Sequence, residues 1–328
     1  MRLAIRERRL TLRAPLRAAW GELRERVLLE IYLDGGRGEA APLEPYDGVP
    51  LDTCRAALEA YAEALEPLPA EATGAEVLQA CRGVSELPHA LAAIDMALWD
   101  RAGRQTGRPV AALLTDTPLE HVAVNATEGI HDPARAAGAG FECFKAKAGL
   151  GDDAERLRGV REALGADVAL RLDANGAWSV DDAAGALARL AALELELVEE
   201  PVRGVAAFRA LRARAETAIA LDETASEPGA LAGDVADAVC LKVGTCGGIT
   251  ALLARATLAR ANGIDVYLAS AHDGPLGVAA GLHAAAALRV QRPCGLATLA
   301  AFADVEEGAL APQGGAIAVP TGAGLLGA

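Results

Sequence analysis

The first third of the chain passes from alternating apolar and charged positions to helical periodicity. Residues 1–13 alternate, residues 26–33 form a second apolar-rich stretch, and a third extended piece starts at Glu39 after a glycine-rich turn. Alternation with a period of two predicts strands, so these segments predict an antiparallel sheet. Apolar residues that recur every three to four positions predict helices over 51–65, 75–82 and 89–105. Residues 1–112 are therefore predicted to form an α+β domain.

From Val122 onward, short apolar stretches alternate with helical ones. Predicted strands span 122–127, 142–147, 168–173, 195–199, 217–222, 238–243, 264–270 and 295–300, and predicted helices include 153–164, 180–192, 204–215 and 248–262. This spacing is one βα unit per strand, and no GxGxxG motif follows the first strand, which favours a closed barrel over an open sheet. The predicted fold class is α/β: a (β/α)7β TIM-like barrel over 113–302 with the N-terminal α+β domain as a cap. The Gly/Pro-rich tail, about 303–328, is expected to pack back on that cap.

Composition excludes several classes of function. Aromatic residues make up 3% of the 328 residues and the net charge is −14, which argues against nucleic acid or an anionic membrane as partners. Six scattered cysteines without a CxxC pair are typical of thiols in a reducing cytosol, and five histidines without HxxxH or HExxH spacing argue against zinc. Charges interrupt every apolar run before it reaches the length of a membrane span. These features predict a cytoplasmic protein and leave a homo-oligomer open.

Charged residues close five successive predicted barrel strands. They are Lys145 and Lys147, then Asp173, then Glu199 with Glu200, then Asp222 with Glu223, and finally Lys242. Carboxyl ends of parallel strands meet at one rim, where barrels keep their chemistry. Inward-facing carboxylates repel one another unless a cation lies between them, and ligands made only of oxygen favour Mg²⁺ over zinc, with Mn²⁺ as an alternative.

The lysines predict proton chemistry beside such a metal. Alternation along a strand places Lys145 and Lys147 on the same face, and Lys242 is expected across the barrel mouth. An ammonium beside a metal and a second ammonium loses its proton more readily than a free lysine, and the resulting amine can act as a general base. This arrangement suits removal of the proton α to a carboxylate, so a small carboxylate is the expected substrate.

These motifs closely resemble those of the enolase superfamily, in its muconate-lactonising subgroup. The resemblance rests on the KxK pair, the Asp-Ala-Asn at 173–175, the Glu-Glu-Pro at 199–201, the Asp-Glu at 222–223 and the later Leu-Lys at 241–242, and it extends to the helix containing residues 95–100. It implies that Asp173, Glu199 and Asp222 are metal ligands, that Lys147 is the base and Lys242 its counterpart. It also implies that Lys145 contacts the substrate carboxylate and lowers the pKa of Lys147.

Other polar residues near these motifs have less defined roles. Glu200 and Glu223 are expected on the opposite side of their strands, with Glu223 as a candidate partner of Lys242. Asn175 either caps the following helix or lines the pocket, and Trp178 is expected to pack. Asp95 and Asp100 are expected in helix and interdomain contacts, and His272 and Asp273 lie on the active rim without an assigned chemistry.

Peripheral motifs are similar to those of the o-succinylbenzoate synthases. They are residues 38–43 in the cap, 122–127 in the first barrel strand and 294–298 near the end. This resemblance implies syn dehydration of 2-succinyl-6-hydroxy-2,4-cyclohexadiene-1-carboxylate in menaquinone biosynthesis, with Lys147 as base and then acid and Lys242 as a cation. N-acylamino acid racemase and dipeptide epimerase are the alternatives, although the epimerases place paired aspartates where this chain has only Asp273. A non-catalytic metal-binding barrel is a third hypothesis, which the intact lysines disfavour.

Overall fold

The computed structural model describes residues 1–18, 21–149 and 153–327 as a capped barrel. Its strands are β1 (Leu3–Ala18), β2 (Gly21–Leu33), β3 (Gly36–Ala40), β4 (His121–Ala123), β5 (Ala126–Thr127), β6 (Cys143–Lys147), β7 (Ala169–Asp173), β8 (Leu195–Glu199), β9 (Ile219–Leu221), β10 (Ala238–Leu241), β11 (Asp265–Leu268) and β12 (Ala316–Ala318). Its helices are α1 (Glu44–Asp47), α2 (Leu51–Leu65), α3 (Gly74–Arg82), α4 (Pro88–Thr106), α5 (Val110–Leu114), α6 (Pro133–Gly138), α7 (Asp153–Leu164), α8 (Val180–Leu190), α9 (Val205–Arg212), α10 (Val243–Cys246), α11 (Ile249–Ala261) and α12 (Pro275–Leu288).

The cap is an antiparallel sheet of β1, β2 and β3 covered by α2, α3 and α4, as its periodicity predicts. The glycine-rich turn is shorter than expected, because β3 already begins at Gly36. A Cβ atom at Gly36 or Gly38 would lie 2.0 Å from a backbone carbonyl oxygen of α4. These two glycines therefore let helix α4 pack directly on the strand, and the predicted turn residues serve helix packing instead.

The barrel wall is a parallel sheet in which each strand from β5 to β11 pairs with its sequence neighbour. Single bridges from Val124 to Cys294 and from Ala269 to Gly295 join its two edges. The predicted strand over 295–300 is wrong in extent. The amide of Leu296 donates to the Cys294 carbonyl at 2.9 Å, which turns the chain out of the ladder, and a 3₁₀ turn follows at 299–301.

Helix α12 has no predicted counterpart. Its sequence is apolar on all sides, and nearly all of its residues are buried between the cap and the barrel. A helix buried all round lacks the polar stripe on which a helical prediction depends. Its His283 is held on both ring nitrogens, by the amide of Ala111 at 3.1 Å and near the carbonyl of Leu325 at 2.9 Å.

The C-terminal tail contacts both parts of the molecule. Strand β12 pairs with β4 at the barrel, while the amide of Leu325 donates to Asp100 on α4 at 2.8 Å and the amide of Ala303 donates to Thr11 on β1 at 2.8 Å. Asp95 accepts hydrogen bonds from the amide and hydroxyl of Thr250 on α11, so it joins cap to barrel. No helix among the described residues is long and apolar enough to cross a bilayer.

Candidate active site

The carboxyl ends of β6 to β10 bring the predicted charged residues to one rim of the barrel. Lys145 and Lys147 lie on β6, and the register pairs them with Arg171 and Asp173 of β7. Asp173 is in turn opposite Glu199 of β8. Because the sheet is parallel and neighbouring strands pair in sequence order, residues at the carboxyl ends of neighbouring strands are neighbours in space.

Lys145 joins two of the predicted metal ligands. Its Nζ lies 3.0 Å from Asp173 Oδ2 and 3.1 Å from Glu199 Oε1. Burial lowers the pKa of this ammonium, but the two carboxylates outweigh burial and the pKa is raised. The expected lowering of a lysine pKa refers to a lysine beside a metal ion, and it stays a prediction for this site.

Lys147 reaches the same aspartate from the other side. Its Nζ donates to Asp173 Oδ2 at 2.8 Å and to Asn175 Oδ1 at 2.9 Å. Asn175 has a φ of 46°, a left-handed conformation that asparagine tolerates better than most residues. Asn175 therefore contacts Lys147 and does not cap α8, whose cap is Ser179.

Lys242 pairs with Asp222 and with a tyrosine from the cap. Its Nζ donates to Asp222 Oδ1 and, at 2.8 Å, to the hydroxyl of Tyr46, which itself donates to Asp222 Oδ1 at 2.7 Å. Burial lowers the pKa of Lys242, but Asp222 and its other neighbours raise it well above the ordinary value. Tyr46 lies 176 positions before Asp222, and no pattern in the sequence identifies it as a site residue.

The predicted pairing of Glu223 with Lys242 is wrong. Strand β9 ends at Leu221, and a 3₁₀ turn at Glu223–Ser226 directs Glu223 toward Arg203 (3.0 Å) and the side-chain amide of Asn175 (3.2 Å). Burial and the neighbouring Asp222 raise the pKa of Glu223 to about 8. Glu223 therefore lies beside the predicted metal ligands but bonds away from the lysine.

Glu200 fixes the loop that carries Asp222. Its two carboxylate oxygens accept the backbone amides of Asp222 at 2.8 Å and Thr224 at 2.9 Å. Its backbone has a left-handed φ of 41°. A buried carboxylate that satisfies two backbone donors holds the loop in a single conformation.

Tyr267 supports Glu199 from inside the barrel. Its hydroxyl donates to Glu199 Oε2 at 2.7 Å, and the guanidinium of the fully buried Arg171 stacks on its ring at 4.7 Å. Arg171 is held by Glu196 at 2.6 Å and by the carbonyl of Pro293 at 2.7 Å. A column of side chains thus fills the barrel below Glu199, and only the strand position of Tyr267 hints at it in the sequence.

The donor set fits a hard divalent cation. Glu199, Asp222 and Cys240 place a ligand atom each within 4.8 Å of one another, and Asp173 shares the Lys145 ammonium with Glu199. Burial raises the pKa of the Cys240 thiol well above its ordinary value, and a protonated thiol is a poor ligand. Burial also raises the pKa of Glu199, so a cation would favour its ionised form. The carboxylate oxygens of Asp173, Glu199 and Asp222 suit Mg²⁺ better than zinc.

All three lysines of the chain are in this site. The sequence contains 31 basic residues other than histidine, and every one apart from Lys145, Lys147 and Lys242 is arginine. An arginine cannot give up its proton in a protein. The only side-chain amines of the molecule are therefore concentrated where the carboxylates converge.

A cavity of about 350 Å³ opens beside Lys145 and Lys147. Its other lining residues include Arg17, Glu128, Ser270, His272 and Thr298. Burial and the nearby cations lower the pKa of His272 to about 3, so its ring is neutral at pH 7. Three cationic side chains and one carboxylate line the cavity, and the cations pair with carboxylates that lie outside this lining: Asp173, Glu199 and Glu22.

Two family models match the chain. An "Enolase C-terminal domain-like" model covers residues 130–326, and a "Mandelate racemase / muconate lactonizing enzyme, N-terminal domain" model covers residues 1–115. The chain belongs to the enolase superfamily. The capped barrel and the rim of acids and lysines are the architecture that the sequence motifs predict for this superfamily.

Relatives by sequence and by structure have different activities. The o-succinylbenzoate synthases of Mycobacterium ulcerans and Mycolicibacterium smegmatis are 44% and 40% identical over 177 and 176 residues, 50% and 52% of this chain. The match spans about half the length of these curated relatives (52% and 53%). A dipeptide epimerase from Enterococcus faecalis, crystallised with Mg and L-Leu-L-Tyr, superposes with a TM-score of 0.86 at 26% identity, over 99% of this chain and 98% of that chain. The L-Ala-D/L-Glu epimerase of Bacillus subtilis superposes at 0.87 and 27%, over 99% and 97%.

Two buried acids, Glu39 of the cap and Asp273 of the barrel, lie near each other where the cap meets the barrel. Glu39 on β3 accepts the amide of Gly274 at 2.7 Å, and its Oε2 is buried without a hydrogen-bond partner among the described residues. Burial, and then the neighbouring Asp273, raise the pKa of Glu39 to about 8. The buried Arg26 lies nearby, bonded to the carbonyls of residues 41, 42 and 272.

Glu39 is expected to make the fold less stable as the pH rises from about 4.5 to about 8. The unfolded chain releases this proton at the ordinary value and the folded chain near pH 8, so the stabilisation is complete below the first value and is lost by the second. Glu39→Gln should differ from the wild type by less than about 1 kcal/mol at pH 5 and should exceed it at pH 8 by a few kcal/mol, since one pKa unit is worth about 1.4 kcal/mol.

Urea unfolding at pH 5, 6.5 and 8 measures this difference. Glu216→Gln, an exposed acid, is the matched control and should keep the wild-type pH dependence. If the free energy of unfolding of Glu39→Gln and of the wild type depended on pH in the same way, Glu39 would be ionised in the folded chain over this whole pH range.

Proposed function

We propose that this protein is an Mg²⁺-dependent enzyme that dehydrates 2-succinyl-6-hydroxy-2,4-cyclohexadiene-1-carboxylate to o-succinylbenzoate. The observation that carries the proposal is the position of Asp273. This residue is buried against the cap, beside Glu39 and Arg26, and it does not line the cavity that contains Lys145 and Lys147. An epimerase acting on a dipeptide needs a carboxylate in the pocket to hold the substrate ammonium.

Charge in the cavity also favours a dicarboxylate. Among the described lining residues the only carboxylate is Glu128, and it pairs with Arg156 at 2.6 Å. The cationic lining residues are Lys145 and Lys147, which pair with Asp173 and Glu199, and Arg17, which pairs with Glu22. A divalent cation held by Asp173 and Glu199 would leave the two lysines to face a substrate that carries one carboxylate on its ring and one on its succinyl group. The curated relatives at 40–44% identity are named for the same activity, and the match to them spans about half of their length.

The proposed chemistry uses Lys147 twice. As a neutral amine, its Nζ takes the proton α to the ring carboxylate, and the C–H electron pair moves toward the carboxylate. As an ammonium, it then protonates the departing hydroxyl group on the same face, so water leaves and the ring becomes aromatic. A divalent cation held by Asp173, Glu199 and Asp222 would supply positive charge where the substrate carboxylate becomes more negative.

Lys242 needs only to stay charged in this reaction. It is buried between Asp222 and the Tyr46 ring, and its pKa is raised, so it faces the reacting plane as a cation. In a racemase or epimerase the same lysine must move a proton. That second candidate is supported by the epimerase structures, which superpose over nearly the whole chain at 26–27% identity.

A direct assay separates the two candidates. The Mg²⁺-loaded protein should remove the cyclohexadiene absorbance of the proposed substrate, and it should leave the α-proton of dipeptides and N-succinyl amino acids unexchanged in D₂O. Exchange into an amino acid substrate without dehydration would support the racemase or epimerase instead. Turnover of neither class would support a non-catalytic barrel.

A further inference from the structure

The backbone of Lys147 lies beyond the end of its neighbouring strand. Strand β5 ends at Thr127, and the last backbone bond between the strands runs from the Glu128 amide to the Lys145 carbonyl, at 2.9 Å. In a parallel ladder, the backbone groups of successive residues face the two neighbouring strands in turn. The amide of Ala148 faces β7, where it donates to the carbonyl of Asp173. The amide and carbonyl of Lys147 therefore face the side on which β5 has stopped.

Two side chains replace the missing strand. Glu128 Oε2 accepts the Lys147 amide at 2.7 Å, and Arg156 Nη2 donates to the Lys147 carbonyl. Arg156 Nη1 also donates to Glu128 Oε1 at 2.6 Å, which closes a ring of hydrogen bonds with the backbone N–H and C=O of Lys147. Asp153 holds Arg156 Nη2 at 2.9 Å and the amide of Gly149 at 2.6 Å.

We propose that Glu128 and Arg156 are positioning residues that aim Lys147 at the substrate. The inference rests on the proposed role of Lys147 as the base. It does not depend on the identity of the carboxylate-bearing substrate. A lysine side chain has four rotatable bonds, so a loose backbone at its root would spread the position of Nζ. A displacement of about 1 Å in a reacting group costs about 100-fold in rate.

The stability of the fold depends little on this clamp. Arg156 and Glu128 are about a third and a quarter exposed, and ion pairs at such sites contribute little to the free energy of folding. Loss of the clamp should therefore lower the rate much more than it lowers the melting temperature. This difference separates a positioning role from a structural one.

Arg156→Met gives the clearest test, because Arg156 does not line the cavity and Glu128 does. We expect kcat to fall about 10- to 100-fold with KM within about threefold of wild type. Arg156→Lys, which keeps a single donor nitrogen, should recover part of the loss, and Glu128→Gln should lose less than Glu128→Ala. Asp234→Ala breaks an exposed ion pair with Arg209 and is the matched control, with unchanged kcat.

Labelling lysine with ¹⁵N provides a readout that needs no turnover. The chain has three lysines, so the spectrum contains three backbone amide signals. In Arg156→Met the Lys147 signal should shift and its hydrogen exchange should accelerate, while the Lys242 signal stays in place. An unchanged Lys147 signal, or a wild-type kcat in an active enzyme, would overturn the proposal. If the wild type dehydrates nothing, the kinetic comparison moves to α-proton exchange and the spectra still decide.

Discussion

Lys147→Ala is expected to abolish dehydration, with a loss of about 10⁴-fold in kcat. General acid–base catalysis contributes about 10²- to 10⁴-fold for one proton transfer, and Lys147 is proposed to perform two. Among the described residues its Nζ bonds to Asp173 and Asn175. After truncation Asp173 still pairs with Lys145, and Asn175 still donates to Glu223. The fold should therefore persist, as a melting temperature near that of the wild type would show.

Lys147→Arg tests whether charge alone suffices. The guanidinium can pair with Asp173, but it cannot accept a proton at any pH that the protein tolerates, so activity should stay lost. Lys242→Arg gives the contrasting result. Under dehydration a fixed cation suffices at that position, and measurable turnover should remain. Under racemisation or epimerisation both lysine variants should be inactive toward one enantiomer, as α-proton exchange in D₂O would reveal.

A result opposite to this pattern would reassign the base. If Lys147→Ala kept substantial dehydration while Lys242→Ala lost it, the proton would leave toward the β10 side of the site. The Tyr46 hydroxyl, which contacts both Lys242 and Asp222, would then be the next group to replace.

The sequence predicts the site residues better than it predicts their partners. Asp173, Glu199 and Asp222 converge because each lies at or directly after the end of a strand in a parallel sheet, and that property depends on short-range patterns alone. The partners depend on where each strand stops. Strand β9 ends one residue before Asp222, and the turn that follows directs Glu223 to Arg203 instead of Lys242.

Contacts between distant segments have no local signal. Tyr46 reaches the site from the cap, and Tyr267 reaches Glu199 across the barrel interior. Both are single residues in otherwise ordinary elements, so neither periodicity nor motif spacing marks them. The early end of the last predicted strand has no local signal either. An apolar run such as residues 294–298 fits a buried turn as well as a strand.

Removal of Mg²⁺ is expected to reduce turnover to the uncatalysed level, and readdition should restore it. Asp173, Glu199 and Asp222 are buried, and their charges are balanced by Lys145, Lys147 and Lys242 in the structure. A lysine that neutralises a carboxylate cannot serve as a base at the same time. A divalent cation on the same oxygens would replace the lysines as counter-charge and leave an amine free for proton transfer.

Metal binding should also appear in stability. A ligand that binds only the folded chain stabilises it, by about 2.7 kcal/mol at a free concentration 100 times its Kd. We therefore expect the melting temperature to rise by several degrees with Mg²⁺, and Glu199→Gln to lose both this increment and the turnover. Asp181→Asn, an exposed acid on α8, is the matched control and should keep both.

The two readouts together test the site independently of the substrate. A Mg²⁺-dependent rise in melting temperature that persists in Glu199→Gln would place the metal elsewhere. Full turnover in the presence of a chelator would exclude a catalytic metal, and the three carboxylates would then serve only to hold the lysines. Loss of turnover with loss of the thermal increment, in Glu199→Gln and Asp222→Asn alike, is the result that the convergence of these strand ends predicts.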